Sequence, residues 1–288
     1  MDIPIILDIS SGLCNSSCNW CYVPYLKKDF GLNKFMKYED VEKIVKLNMG
    51  HDFKFYFTGF GEALINPDFF KIFNLIGKNF KMGSMMTNFS KELTESEIEW
   101  MLLKLEKLVI EMGGLSAESR YENMHIENDF FFENMHRLDN ILIKNPSLRK
   151  SCSVKIIQNK NNMKEIEYLD PQYSFKILKS IVLIHKNEFY KGVSTREKDF
   201  FVQRNSSDGL YMEYADKMNV QVGCTSKRQL RIIPNGTVLM CCSSPSGAYL
   251  SNAFEVPIAD ILNSNKYKEN LKKMEDRTYC DVCRSCSE

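Results

Sequence analysis

Between Ile3 and Ile184 short apolar runs alternate about six times with amphipathic segments, and this repeat restricts the fold more than any other feature. The runs are Ile3–Ile9, Phe53–Phe57, Lys81–Met86, Leu108–Met112, Ser153–Ile157 and Ser180–Ile184. Each has the length of a buried strand. Tyr38–Met49 places Val41, Ile44, Val45 and Leu47 on one side of a helix. Asn66-Pro67 reads as a helix start, and Thr94-Glu95-Ser96-Glu97 as a capping box opening another. Strand–helix repeats of this kind predict an α/β fold, a parallel sheet with helices outside it. Right-handed crossovers then put the functional loops at the C-terminal ends of the strands.

The tail reads differently. Leu230–Ile233 and Thr237–Met240 flank Pro234-Asn235-Gly236, and Asn-Gly between β-like runs predicts a hairpin whose two turn residues tolerate positive φ. One helix is expected from about Ile258 to Met274. The polar stretch Arg204-Asn205-Ser206-Ser207-Asp208-Gly209 suggests a boundary near residue 205, giving domains 1–205 and 206–288. The balance of 38 basic and 37 acidic residues gives no electrostatic reason to expect a nucleic-acid or membrane partner. The N-terminus lacks the pattern of a signal peptide, and no apolar run reaches the length of a membrane span, so a cytoplasmic protein is expected.

In a reducing compartment ten cysteines point to metal or redox chemistry rather than disulfides. Cys14, Cys18 and Cys21 form a C-x3-C-x2-C group on the loop after the first strand. Thiolates favour zinc or iron–sulfur clusters. A structural zinc site wants a fourth protein ligand, and the nearest histidine is His51. Three local cysteines suit a four-iron cluster with one iron left open; a zinc loop is the alternative.

This spacing, with Trp20 before the last cysteine, resembles the signature of the radical S-adenosylmethionine superfamily. The resemblance implies a partial (β/α)6 TIM-like barrel. It implies a [4Fe-4S] cluster coordinated with exchangeable S-adenosylmethionine, whose reductive cleavage gives a 5′-deoxyadenosyl radical, and a reductase or flavodoxin-type electron donor. Further segments match at the ends of successive strands. Thr58-Gly59-Phe60-Gly61-Glu62-Ala63-Leu64 resembles the family's glycine–glycine–glutamate segment, which holds the cosubstrate's amino group; Phe60 replaces the first family glycine and Ala63 the usual proline. Gly59 and Gly61 would let backbone approach the ligand, and Glu62 would accept from the ammonium. Thr87-Asn88-Phe89 stands where the family often has Thr-Asn-Gly. Glu111-Met112-Gly113-Gly114 stands where a ribose-contacting sequence is usual, with Glu111 as acceptor.

Six cysteines lie in the last 65 residues. Cys224, Gly236 and Cys241 have the spacing C-x11-G-x4-C, and Cys280-Asp281-Val282-Cys283 follows. The pattern resembles the SPASM and shorter twitch extensions, which carry auxiliary clusters. The resemblance implies a small hairpin-and-helix extension with one auxiliary [4Fe-4S] cluster on Cys224, Cys241, Cys280 and Cys283, with Cys286 able to replace either of the last two. A four-cysteine zinc ribbon is the alternative.

Three reactions follow from hydrogen-atom abstraction on a small-molecule or peptide substrate. Oxidation passes an electron to the auxiliary cluster, as in enzymes resembling aminocyclitol dehydrogenases. Epimerisation needs a thiol that returns a hydrogen atom, for which Cys242 is the candidate. Peptide maturation by carbon–carbon or thioether cross-linking is the third; many such enzymes carry an N-terminal leader-binding domain, which a barrel starting by residue 3 does not provide for. A non-catalytic metal-binding scaffold is the reading outside enzymology. Cys152 and Phe130-Phe131-Phe132 are expected in the core. His185 ends the sixth strand and is a possible substrate contact. His51, His125 and His136 have no evident partner in the sequence.

Overall fold

The computed structural model describes residues 3–19, 21, 23, 33–114, 116–157, 182–185, 229–240, 249–276 and 278–279. Six strands run in sequence order: β1 (Pro4–Leu7), β2 (Lys54–Phe57), β3 (Lys81–Thr87), β4 (Lys107–Glu111), β5 (Cys152–Ile157) and β6 (Val182–His185). Between them lie helices α1 (Tyr38–Asn48), α2 (Phe69–Asn79), α3 (Glu95–Lys104), α4 (Ala117–Met124) and α5 (Phe131–Lys144). The C-terminal part adds β7 (Leu230–Ile232), β8 (Thr237–Leu239), β9 (Tyr249–Asn252), α6 (Ile258–Asn263) and α7 (Asn265–Glu275).

All nine strands form one sheet in the order β6-β5-β4-β3-β2-β1-β7-β8-β9. Pairing from β1 to β6 is parallel throughout, the strand order of an open portion of a β/α barrel. The tail does not stand apart from this sheet. β7 pairs in parallel with the free side of β1, Ile6 opposite Arg231, and β8 and β9 continue antiparallel. The expected boundary near residue 205 lies outside the described residues.

Alternation along the strands sorts the faces. Ile5, Leu7, Phe55, Phe57, Leu108, Ile110, Val154, Leu230 and Ile232 pack with helical side chains such as Ile44, Phe73, Met101 and Leu138 in one core. The opposite face carries the polar residues: Asp8, Tyr56, Glu111 and Arg231. Cys152 and Phe131 lie in the core as expected; burial pushes the Cys152 thiol up to about 12.

Three local expectations change. The turn at Pro234-Asn235-Gly236 has positive φ only at Gly236, φ 82°. Gly236 N–H donates to Ile233 at 2.8 Å and Ile233 N–H to Thr237 at 3.1 Å, so Pro234 and Asn235 form an ordinary turn closed by a left-handed glycine. The helix expected over 258–274 is broken at Ser264, whose hydroxyl accepts from Tyr267 N–H and opens α7. Asn66 does not cap α2, whose N-cap is Asp68. Its buried amide donates to Ile9 and Met36 carbonyls at 2.8 and 3.0 Å, tying the chain after β1 to the start of α1. The capping box at Thr94 and Glu97 forms as read. No helix among the described residues is long and apolar enough to cross a membrane.

Candidate active site

The loops at the C-terminal ends of β1 to β4 meet around the first cysteine group. The loop leaves β1 through a tight turn, Leu13 N–H to Ser10 at 2.7 Å. It is tied to the β2 loop by Gly12 N–H to Phe60 at 3.0 Å and Glu62 N–H to Leu13 at 3.0 Å. Asn88 Nδ2, after β3, donates to Asn15 Oδ1 at 2.9 Å and lies 3.9 Å from Cys14 Sγ. Asn15 in turn donates to the Ser90 hydroxyl at 2.7 Å.

A fourth support comes from α4. The last carbonyls of a helix lack partners within it. Here Ser17 N–H donates to Met124 at 2.7 Å, Asn19 N–H to Asn123 at 2.9 Å and Asn19 Nδ2 to Glu122 at 2.9 Å. The cysteine loop therefore caps the C-terminus of α4. His125, in the left-handed region at φ 50°, closes the helix and sets Nε2 3.0 Å from Asn19 Oδ1. The partner absent from the sequence reading of His125 is thus a residue between two of the cysteines.

Cys14, Cys18 and Cys21 form no disulfide; Cys14 is exposed and the others are half-buried. The Ser16 hydroxyl lies 3.1 Å from Cys14 Sγ and 3.4 Å from Cys18 Sγ. Burial pushes the Cys18 thiol well above the ordinary range, against the Ser16 hydrogen bond, and Cys21, Cys14 and Glu111 push it the same way. A thiolate here needs positive charge close by, which a bound metal would supply. Among the described residues no three Cys, His, Asp or Glu side chains converge on the position of one metal ion. Donor type, spacing and support fit a cluster.

The glycine–glutamate segment serves the protein's own packing. A Cβ on Gly59 would strike the Asp8 carboxylate, and one on Gly61 the carbonyls of Ser10 and Leu13. These glycines let the β2 loop lie against the cysteine loop. Glu62 is 4% exposed. Oε1 accepts from Leu64 N–H at 3.0 Å and the Thr87 hydroxyl at 2.8 Å, and Oε2 from Asn88 N–H at 2.7 Å. A carboxylate has about four acceptor positions, which leaves one on Oε2 for an ammonium. Burial pushes this carboxyl up, against the pull of those donors and of Arg120.

Phe89 explains its own departure from the family pattern. Its φ is 58°, in the region that favours glycine, while its ring is wholly buried. The backbone keeps the glycine conformation and the side chain fills the core. Glu111 ends β4 half-buried. Behind it lies Arg120, fully buried and not legible in the sequence. Nη1 donates to the carbonyls of Glu111 and Met112, Nη2 to that of Asn88 and Nε to Asp129, with the guanidinium 3.9 Å from the Phe131 ring. One side chain thus clamps the β3 and β4 loops together. Burial lowers the Arg120 pKa, and Asp129 opposes this. A helical arginine with an aspartate nine residues later was the only available signal.

Residues 224–287 match the SPASM family, an iron–sulfur cluster-binding domain. The chain also resembles solved structures along its whole length. BtrN in complex with AdoMet and 2-DOIA gives a TM-score of 0.56 at 15% identity, covering 100% of this chain and 94% of BtrN. Histidine-tagged anSMEcpe with bound AdoMet gives 0.61 at 17%, covering 99% and 85%. SuiB of Streptococcus suis bound to S-adenosylmethionine gives 0.58 at 16%, covering 100% and 72%. The chain thus carries a SPASM match at its C-terminal end and shares its overall fold with BtrN, anSMEcpe and SuiB. At these identities the likeness to solved structures is one of fold, and no curated protein matches. In this fold Cys14, Cys18, Cys21, Gly59, Gly61, Glu62, Thr87, Asn88 and Glu111 lie at the C-terminal ends of four neighbouring strands. Trp20 and the SPASM cysteines Cys224, Cys241, Cys242, Cys280, Cys283 and Cys286 lie outside the described residues.

Proposed function

We propose that the protein is a radical S-adenosylmethionine oxidoreductase that abstracts a hydrogen atom from a small-molecule or peptide substrate. The observation that carries the reading is the cysteine loop at the C-terminal end of β1, held by the Glu62, Asn88 and α4 segments. When bound to Cys14, Cys18 and Cys21, the cluster supplies the electron that cleaves S-adenosylmethionine. Glu62 Oε2 offers its remaining acceptor position to the cosubstrate ammonium. Thr87 and Asn88 hold that carboxylate in place, and Glu111 faces the ribose hydroxyls. The SPASM residues Cys224 and Cys241, with two of Cys280, Cys283 and Cys286, would hold an auxiliary cluster.

The presence of an auxiliary cluster domain favours oxidation, since such a cluster accepts the electron that the substrate radical must lose. The solved structure of BtrN, which holds 2-DOIA beside AdoMet, supports a small-molecule substrate; that of anSMEcpe with the Cp18Cys peptide supports a peptide. Epimerisation through Cys242 is the second reading, favoured by its place beside a presumed ligand.

Anaerobic reconstitution should give about eight irons per chain, two four-iron clusters. Reduced protein with S-adenosylmethionine should release 5′-deoxyadenosine, and Cys14→Ala, Cys18→Ala or Cys21→Ala should abolish this. Intact cleavage in all three variants sinks the reading. In deuterated water, a product lighter by two hydrogens indicates oxidation, whereas deuterium in a product of unchanged redox state indicates epimerisation.

A further inference from the structure

Arg231 has no part in the arrangement described so far. It stands in the middle of β7, opposite Ile6 of β1, on the sheet face turned away from the helices. The residue is 6% exposed. Its guanidinium carbon lies 4.0 Å from the centre of the Phe60 ring, in the segment that leads to Glu62. Nη1 is 4.0 Å from Asp8 Oδ2, an ion pair by charge but too long for a hydrogen bond. Asp8 is engaged elsewhere, since Oδ2 accepts from Phe60 N–H at 2.8 Å.

Nε and Nη1 of Arg231 are buried without a hydrogen-bond partner among the described residues. The same holds for the hydroxyl of Ser10, two residues beyond Asp8. Leaving a guanidinium donor buried and unsatisfied costs its full desolvation, and native proteins rarely tolerate this. The stacked ring fixes the plane of the fork but supplies no acceptor. Asp8 stands too far to accept a hydrogen bond from the guanidinium; burial pushes that carboxyl up and the charge of Arg231 pulls it down. What these donors lack is an acceptor, and a planar fork of N–H groups suits an oxyanion best.

We propose that Arg231 anchors a carboxylate or phosphate group of the substrate, at the seam where the C-terminal hairpin joins the barrel sheet. The inference rests on the enzymatic reading above for the word substrate, but the oxyanion site is testable without it. An anion held beneath Phe60 leaves the rest of the molecule to extend toward the cysteine and Glu62 loops. Position β7 then couples the C-terminal domain to specificity, because the strand that carries Arg231 continues through the hairpin toward Cys241.

The test titrates the reconstituted full chain calorimetrically with sodium acetate, sodium phosphate and acetamide, at constant ionic strength. Wild type should bind at least one of the two anions saturably and should not bind acetamide. Arg231→Met should weaken that binding about tenfold or more, with Arg231→Lys between them. The preferred anion identifies the oxyanion. No saturable binding to wild type overturns the proposal, as does equal affinity in wild type and Arg231→Met. Competition of the bound anion with S-adenosylmethionine also overturns it, by assigning Arg231 to the cosubstrate. Should Arg231→Met fail to fold, Arg231→Lys carries the comparison. Failure of wild type to release 5′-deoxyadenosine while still binding the anion refutes the enzymatic reading alone.

Discussion

Arg120→Met is the sharpest test of how the strand-end loops are held. Arg120 joins the carbonyls of Asn88, Glu111 and Met112 to the carboxylate of Asp129, and it is wholly buried. Not every partner is stranded by its loss. Met112 still accepts from Gly114 N–H at 2.8 Å, and Asp129 keeps Phe131 N–H and is one-fifth exposed. The Asn88 carbonyl loses its arginine, and Asp129 loses its buried counter-ion. Breaking a buried pair from one side costs about 3–5 kcal/mol, and the partial exposure of Asp129 selects the lower end, about 3 kcal/mol. At roughly 2–4 °C per kcal/mol this predicts a melting temperature lower by about 6–12 °C, in anaerobic scans at one fixed rate. The loosened Asn88 also holds Asn15 less firmly, so iron content after reconstitution should fall. Methionine retains the packing against Phe131, which separates loss of hydrogen bonds from loss of volume. A variant that melts within about 2 °C of wild type with full iron would refute the idea that Arg120 clamps the loops.

Three further outcomes follow from the site. Burial holds the Glu62 carboxyl above its ordinary 4.5, so just above that pH the native chain binds a proton the unfolded chain has released. Stability then falls as pH rises above the ordinary carboxylate range, and Glu62→Gln should reduce that loss in urea midpoint; an unchanged slope contradicts this. Gly61→Ala should displace the cysteine loop from the Ser10 and Leu13 carbonyls and lower the iron bound per chain, whereas wild-type loading would show that the loop adapts. Phe89→Ala should cost about 3–5 kcal/mol in packing, and Phe89→Gly about 1 kcal/mol less than that, reversing the usual order of alanine and glycine; the ordinary order in denaturant titrations would count against left-handed strain at this residue.

The parallel sheet was legible because apolar periodicity is local and repeats, and the strand bounds agree closely for β2, β3 and β4. The first cysteine group was legible because its three members lie within one loop. Other features depend on pairs distant in sequence. The Asn66 amide reads as a cap until its bonds to Ile9 and Met36 are seen, since the motif shows only neighbours. Ser264 divides one amphipathic stretch into two helices with little change in its periodicity. The glycines at 59 and 61 also serve a contact that the sequence does not display, the approach of the cysteine loop to the β2 loop. Arg120 was hidden because its partners are backbone carbonyls, and a carbonyl is present at every residue.

The pairing of β1 with β7 also orders events in time. β1 is made first, yet its neighbour on that side is the strand beginning at Leu230, more than 200 residues later. At typical synthesis rates the edge of β1 waits on the order of tens of seconds before its partner leaves the ribosome. Until then it offers unpaired N–H and carbonyl groups to any other strand, the usual start of edge-to-edge aggregation. The cysteine loop grows from the end of that same strand. A nascent chain thus exposes Cys14, Cys18 and Cys21 beside an open sheet edge, and the arrival of the C-terminal hairpin closes that edge.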